Sequence, residues 1–409
     1  MTNNFNETYK YTDYNKFIGT EQIPLIKEKS IQVPDEFRCN VGSMEVDTFF
    51  TVNGFFIPNQ KNLLESITIK SFAETSRCNA NMIEPYYGKI ALSESDILTA
   101  INTKQAQDGY FIRIPKNVVC KKPIQIINIL ASESDLTAAQ RNMIIVEEGA
   151  QAKILVCDHT LSPVKFIMNT VTEIQVDRGA NLDFTCLQNQ HNSTAQVAGY
   201  YFNQETDTVL SSNFITLHAG IARNNIFARL SGVRAENFLS GLYLCDKNQH
   251  IDNFTFIDHA APDCNSKEVF KGVMDDASTG AFTGKIIVRP DAQRTNAYQT
   301  NNNLLLTNNA KINSKPQLEI YADDVKCSHG ATVGQLDENA LFYMRQRGIS
   351  REEAYILLQY AFAYEVIEKI KLPALKEQIR SLVEKRFRGQ LDKCDSCVLC
   401  GKKKHLIGC

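Results

Sequence analysis

Between about residue 108 and residue 322 the apolar residues fall at alternate positions in short runs. Tyr110 to Ile114 is one run and Ile124 to Leu130 another; Phe214 to His218, Leu239 to Leu244, Phe254 to Ile257, Lys285 to Val288 and Leu304 to Thr307 keep the texture. Alternation of this kind sends successive side chains to opposite faces of a strand. One phrase repeats thirty residues apart: Ile144-Ile145-Val146 leads through Glu147-Glu148-Gly149-Ala150 into Ala152 to Val156, and Ile174-Gln175-Val176 leads through Asp177-Arg178-Gly179-Ala180 into Leu182 to Cys186. Gly149 and Gly179 are expected at positive φ, where a tight turn needs a residue without Cβ. Short strands with turn glycines and no crossover helices predict a solenoid or a sandwich. The repeat favours the solenoid, in which each coil covers its neighbour's apolar face.

After residue 334 the period lengthens. Gln335 to Arg347 puts Leu336, Ala340, Tyr343 and Met344 on one side of a helix, and Gly348 follows as its stop. Ser350-Arg351-Glu352-Glu353 is a capping box opening a second helix, with Ala354, Leu357, Leu358, Ala361, Phe362 and Ile367 as its apolar positions, until Pro373 breaks it. A third helix carries Leu375, Ile379, Leu382, Val383 and Phe387 and ends near Gly389. The pattern fits a hairpin capping the solenoid and a surface for a partner equally well. Residues 1 to about 85 give little pattern; Ser93-Glu94-Ser95-Asp96 offers an N-cap for a short helix through Ile97, Ala100 and Ile101.

The length of 409 residues leaves room for two or three domains, and a formal net charge of −2 gives no basic face for nucleic acid. Lys402-Lys403-Lys404 is too short a run to change that. Met1 to Thr12 is polar, and no run approaches the ~18 apolar residues of a membrane helix, so a cytoplasmic chain is expected. The twelve cysteines then stay reduced. Most of Cys39, Cys78, Cys120, Cys157, Cys186, Cys245 and Cys264 are expected to be packing residues.

Candidate chemistry concentrates in two places. If Ile320 to His329 is extended, Val325, Cys327 and His329 share a face, and a thiol stands beside an imidazole. That pair could hold a thiophilic metal or a sulfur and leave positions open for a partner's ligands. Alternatively, Cys327 is a small core residue and His329 ends the strand. The tail spaces Cys394, Cys397 and Cys400 two residues apart, with His405 and Cys409 beyond. Such gaps let thiolates converge on zinc or on a cluster, although the proline that follows ferredoxin runs is missing.

Other chemistry is excluded or weak. Gly280 to Ile286 has one residue too few between its glycines for a P-loop, and Ile286 where Ser or Thr belongs, so no ATP site is expected here. Asp258, His259 and Ser266 occur without a nucleophile elbow, which leaves hydrolysis unsupported. Arg294, Asn301 and Lys326 read as solvated strand faces and turn caps.

The string Lys326-Cys327-Ser328-His329-Gly330-Ala331-Thr332-Val333-Gly334-Gln335-Leu336-Asp337, followed by Leu341 to Ser350, resembles the SufB/SufD family of iron–sulfur cluster assembly subunits, on its SufD side. Lys271-Gly272-Val273, Gly284 to Val288, Gln293 to Asn301 and Ser314 to Glu319 extend the resemblance over most of residues 85 to 390. SufB-like chains carry Glu where this chain has Gly330, and their sulfur-accepting cysteine lies on another strand.

The resemblance implies a mainly β chain: a right-handed parallel β-helix core with a C-terminal α-helical domain. The expected units are an N-terminal segment (1–85), the β-helix core (86–322), a strand-to-helix motif with helical domain (323–390) and a Cys-rich tail (391–409). Thr8 to Tyr14 resembles a segment that in the family follows an N-terminal helical domain, so that domain is expected to be missing. The implied role is a non-catalytic scaffold that pairs with a SufB-like subunit and docks a SufC-like ATPase. A transient iron–sulfur cluster would be shared near His329 and Cys327, and His259 would be structural or line an internal route; flavin stays open. Competing readings are a stand-alone metal- or cluster-binding protein or enzyme using Cys327/His329 or the Cys394–Cys409 tail, and a purely structural β-helix.

Overall fold

The computed structural model describes residues 8–20, 22–26, 45–58, 67–92 and 96–390. The N-terminal part supplies strands β1 (Asp47–Val52), β2 (Phe55–Ile57) and β3 (Thr68–Ser71) and helices α1 (Phe72–Cys78) and α2 (Ile97–Gln105). The coil then runs through β4 (Tyr110–Ile114), β5 (Ile124–Leu130), β6 (Leu136–Val146), β7 (Gln151–Thr160), β8 (Phe166–Val176), β9 (Asn181–Asn189), β10 (Thr194–Gln204) and β11 (Val209–His218). It continues with β12 (Ile221–Leu230), β13 (Glu236–Cys245), β14 (His250–His259), β15 (Asn265–Met274), β16 (Thr279–Val288), β17 (Thr295–Leu305), β18 (Lys311–Ile320) and β19 (Val325–Gly334). Helices α3 (Glu338–Gln346), α4 (Arg351–Ile367) and α5 (Pro373–Phe387) follow.

From β4 onward successive strands alternate between two sheets, and each pairs in parallel with the strand two places on. This is a parallel β-solenoid with C-terminal helices, as the alternation and the repeat predict. Its lumen is filled by inward side chains such as Ile126, Val156, Ile174, Phe184, Phe202 and Phe270. The sheets start with antiparallel partners, β2 on β1 and β3 on β4. They end on β18 and β19, each paired on one side only.

The repeat seen at Gly149 and Gly179 does continue, in other residues. One corner of each coil up to the β16–β17 turn holds a residue at positive φ: Asn117, Gly149, Gly179, Asp207, Arg234, Asp263 and Arg294. The N–H of each donates to the next coil, from Asn117 to Glu148 through to Arg294, whose N–H reaches the Asp324 carbonyl. Charged pairs staple these corners: Arg234 binds Asp207 through two hydrogen bonds, and Arg294 does the same to Asp263. Gly232 sits in this corner with its Cα against the neighbouring coil; a Cβ there would lie 1.9 Å from the Thr206 backbone nitrogen. Gly232→Ala is therefore expected to lower stability by about 1–3 kcal/mol, read by chemical denaturation, because backbone cannot step aside as a side chain can.

The helices lie along the flank of the ten-stranded sheet and leave the solenoid end open, so the capping arrangement is not the one adopted. Ala363, Val366 and Ile367 of α4 and Leu375, Ile379, Leu382 and Val383 of α5 pack on Ile127, Leu155, Leu187, Ile215, Leu242 and Val269. Ser350 caps α4, its Oγ accepting from the Glu353 N–H. The Glu353 carboxylate turns to Arg388 at the end of α5 instead of completing the box. Of the apolar positions of α4, Leu357 and Ala361 face solvent, while Ile356 and Gln359 are buried. In α3 only Leu341 is buried, and Tyr343 is exposed under the Arg347 guanidinium. Asp96 caps α2 as expected.

N-terminal segments cover the outer face of the nine-stranded sheet. Tyr9 and Phe17 pack with Leu98 of α2 and Val197. Beneath this cover, the fully buried Arg141 and Glu173 pair at 2.5 Å. Glu173 also accepts from the N–H groups of Gly88, Ile90 and Ala91, and the Tyr87 ring lies 4.8 Å from the Arg141 guanidinium.

Candidate functional site

The extended run predicted from Ile320 to His329 is interrupted. Strand β18 stops at Ile320, the chain turns at Asp323-Asp324, and β19 begins at Val325. Gln293 and Arg294 build that turn: the Asp324 N–H donates to the Gln293 side-chain oxygen, and the Arg294 N–H to the Asp324 carbonyl. Within β19 the predicted faces hold. Val325, Cys327 and His329 are register partners of the inward residues Thr295, Ala297 and Gln299, so all three head lumen columns.

The two candidate residues differ in setting. Cys327 is half-buried against the lumen core, and burial pushes its thiol up. At neutral pH it is a thiol and not a ready thiolate. His329 is exposed on the last strand. Residues two apart on a strand are spaced by roughly 6.6 Å, and no hydrogen bond joins these two among the described residues. They can each reach one larger object set on the open end. Among the described residues no group of three or more His, Cys, Asp or Glu could hold a metal ion, so further ligands would have to come from outside these residues. Cys394, Cys397, Cys400, Cys409 and His405 lie outside the described residues, as does Cys39. Cys120, Cys157, Cys186, Cys245 and Cys264 are buried packing residues as expected, while Cys78 is exposed.

Beneath the motif the lumen turns polar, which the sequence reading missed. Inward polar residues alternate with outward ones in these strands, so the period gives no sign of which face is wet. Asn301, expected on a solvated face, is fully buried: its amide donates to the Tyr243 hydroxyl and its oxygen accepts from Asn303 and Ser314. Tyr243 in turn donates to Asn303. Gly272 makes room for this group, since a Cβ there would meet the Tyr243 ring at 2.4 Å. Its neighbour Lys271 faces the other way, binding the Phe362 carbonyl at 3.1 Å and Glu365 at 2.7 Å and so pinning α4 to the sheet. Arg294 is a turn residue and Lys326 is exposed, as expected.

His259 ends β14 and is fully buried. Its Nε2 pairs with Ser266 Oγ at 2.8 Å, two strands beneath Cys327, and burial pushes the imidazole down to about 4. Asp258 points to the other face and binds Arg289, so no Asp-His-Ser relay forms. Two strands beneath His329 lies Glu268, also fully buried, accepting from Gln299 Nε2 at 2.7 Å.

Burial pushes the Glu268 carboxyl from 4.5 up to about 7, despite the nearby Thr255 hydroxyl and Gln299 amide. Between those two values the native chain keeps a proton that the unfolded chain has lost. The stability contributed by this group therefore falls as pH rises through that window and levels off above it. His259 works in the opposite sense below 6.5, so the comparison must be differential. The stability of the native chain minus that of Glu268→Gln is expected to fall by about 2–3 kcal/mol between pH 5 and pH 8 in denaturant titrations.

Comparison with known proteins bears on this arrangement. The model of the SUF system FeS cluster assembly, SufBD core domain, matches residues 128–362, and that of the SufBD protein N-terminal region matches residues 1–126. The chain belongs to the SufBD family of iron–sulfur cluster assembly proteins. The core match runs from β5 into α4 and includes the whole of β19. The iron-sulfur cluster assembly protein SufD of Escherichia coli (strain K12) is 28% identical over 386 residues, 94% of this chain and 88% of its own. A SufBD family protein of Synechocystis is 29% identical over 349 residues, covering 82% of this chain and 76% of its own. SufD of Bacillus subtilis (strain 168) is 25% identical over 323 residues, 76% of this chain and 72% of its own. No helix among the described residues of this SufBD protein is long and apolar enough to cross a membrane.

Proposed function

We propose that this SufBD protein is the SufD-like, non-catalytic subunit of a cytoplasmic SufB–SufC–SufD scaffold on which iron–sulfur clusters are built. The observation that carries the reading is the open end of the solenoid. Two ten-residue strands, β18 and β19, present unpaired edges there, a surface that proteins ordinarily cover. Ile320, Tyr321 and Val333 are exposed at or beside these strands, with Tyr321 at 61%. A SufB-like solenoid with an equivalent end fits this edge by strand pairing. The contact would bring His329, and less directly Cys327, to the seam, where the partner's ligands complete a site for the nascent cluster as cargo.

The flank supports a second contact. Phe342 and Tyr343 of α3 are exposed at 63% and 58%, and Leu357 and Tyr364 stand out from α4. Aromatic residues lying open on a helix pair that is anchored from below by Lys271 suit docking of a SufC-like ATPase. ATP binding then belongs to that partner, since the glycine string 280–286 lies inside β16.

The test is anaerobic co-expression with the same organism's SufB and SufC, followed by affinity purification and analysis of iron and sulfide. A stable complex that gains both is expected. A chain that purifies alone with stoichiometric metal would overturn the scaffold reading and favour an independent role for the Cys394–Cys409 tail.

A further inference from the structure

The column Glu268–Gln299–His329 has more structure than lumen filling requires. Gln299 is fully buried and stands between the other two in strict register on β15, β17 and β19. Its amide is oriented: Nε2 donates to Glu268 Oε2 at 2.7 Å, and its Oε1 is buried with no partner. Above the pH of about 7 to which burial lifts its carboxyl, Glu268 is ionised and only accepts hydrogen bonds, so it selects the nitrogen end of the amide and leaves the oxygen end free. Across the lumen Gly284 keeps the space open, since a Cβ there would lie 2.3 Å from Gln299 Nε2. A buried acceptor with nothing to accept is a debt of stability unless something nearby supplies a proton. The neighbour in register on the same face is His329.

We infer that Gln299, held by Glu268, is a positioning residue that fixes the tautomer of His329. The imidazole donates Nδ1–H to Gln299 Oε1, which leaves the lone pair of Nε2 aimed away from the lumen, toward whatever sits on the open end. Histidines that ligate metals are ordinarily set this way, one ring nitrogen donating to a protein oxygen while the other binds. The inference rests on the proposed role of His329 for its purpose, but the hydrogen bond itself is a property of this chain alone.

The experiment is long-range 1H–15N NMR of the full chain labelled with 15N-histidine, at a pH well above 7, where the Glu268 carboxyl is ionised. The His329 signals are those lost in His329→Ala. The expected result is the Nδ1–H form in the native chain, moving toward the Nε2–H form that solvated histidine favours in Gln299→Leu. Glu268→Gln, in which either end of the Gln299 amide finds a partner, is expected to give a mixture. An Nε2–H imidazole in the native chain overturns the inference, and this result needs no lumen variant to fold, only the surface variant His329→Ala that assigns the signals. A tautomer unchanged by Gln299→Leu overturns it too. Because no partner is added, an Nδ1–H form in a chain that fails to join a complex would count against the scaffold and not against this bond.

Discussion

His329→Ala is expected to yield a complex that assembles at native yield and carries little iron or sulfide. The side chain is exposed and its one bond within the chain is the one inferred to Gln299, so its loss should change stability by no more than about 1 kcal/mol. Its chemistry is harder to replace. Imidazole is a borderline ligand suited to Fe²⁺ and releases more readily than a thiolate, as the proposed site would require in order to hold a cluster and then hand it on. The drop in iron should exceed the roughly 10-fold that even an outer-sphere residue is worth at a metal site. Cys327→Ser should do less, because that thiol is half-buried and burial holds it protonated. A variant lacking His329 that retains full iron and sulfide would remove the imidazole from the mechanism. One that only unfolds more easily would favour a purely structural motif.

The second large effect concerns stability alone. Glu173→Ala is expected to lower the free energy of unfolding by about 3–5 kcal/mol, because Arg141 would be left charged and fully buried. The loss extends beyond the pair. The Glu173 carboxylate also gathers three backbone N–H groups of residues 88–91, and these lose their acceptor in the variant. Replacing both partners by apolar residues, as in Arg141→Met with Glu173→Leu, should recover part of the deficit, since no uncompensated charge remains. Denaturant titration of the three variants checks this. A single variant as stable as the parent would show that the 88–91 segment is held by its apolar contacts and not by the carboxylate.

The period of the chain made the solenoid and the helices legible, but it showed only part of the repeat. Gly149 and Gly179 are visible because glycine is the residue one expects at positive φ. The same corner at Asp207, Arg234, Asp263 and Arg294 is held by residues whose identity gives no such sign. What replaces the glycine signal is charge, Asp on one coil facing Arg on the next, and its spacing is irregular enough to hide. The face of Cys327 and His329 was readable from alternation. The polar column beneath them was not, because Glu268, Gln299 and Asn301 carry side chains that in most strands face water. Helix caps were read well and helix faces less well. A capping residue acts locally, whereas Leu357 and Ile356 exchange places according to where the sheet happens to lie.

The two ends of the solenoid are unequal, and this sets how many chains an end-to-end contact can join. At the start the sheets finish on β2 and β3, three and four residues long and running against their neighbours. At the other end they finish on ten-residue parallel strands. A coil with two matching ends would add copy after copy and grow into a fibre. Here the short reversed strands are poor templates for a further coil, so growth has a single direction. A contact that occupies β18 and β19 uses up the long free edges among the described residues. An assembly built through this surface is therefore expected to be self-terminating and to stop at a pair.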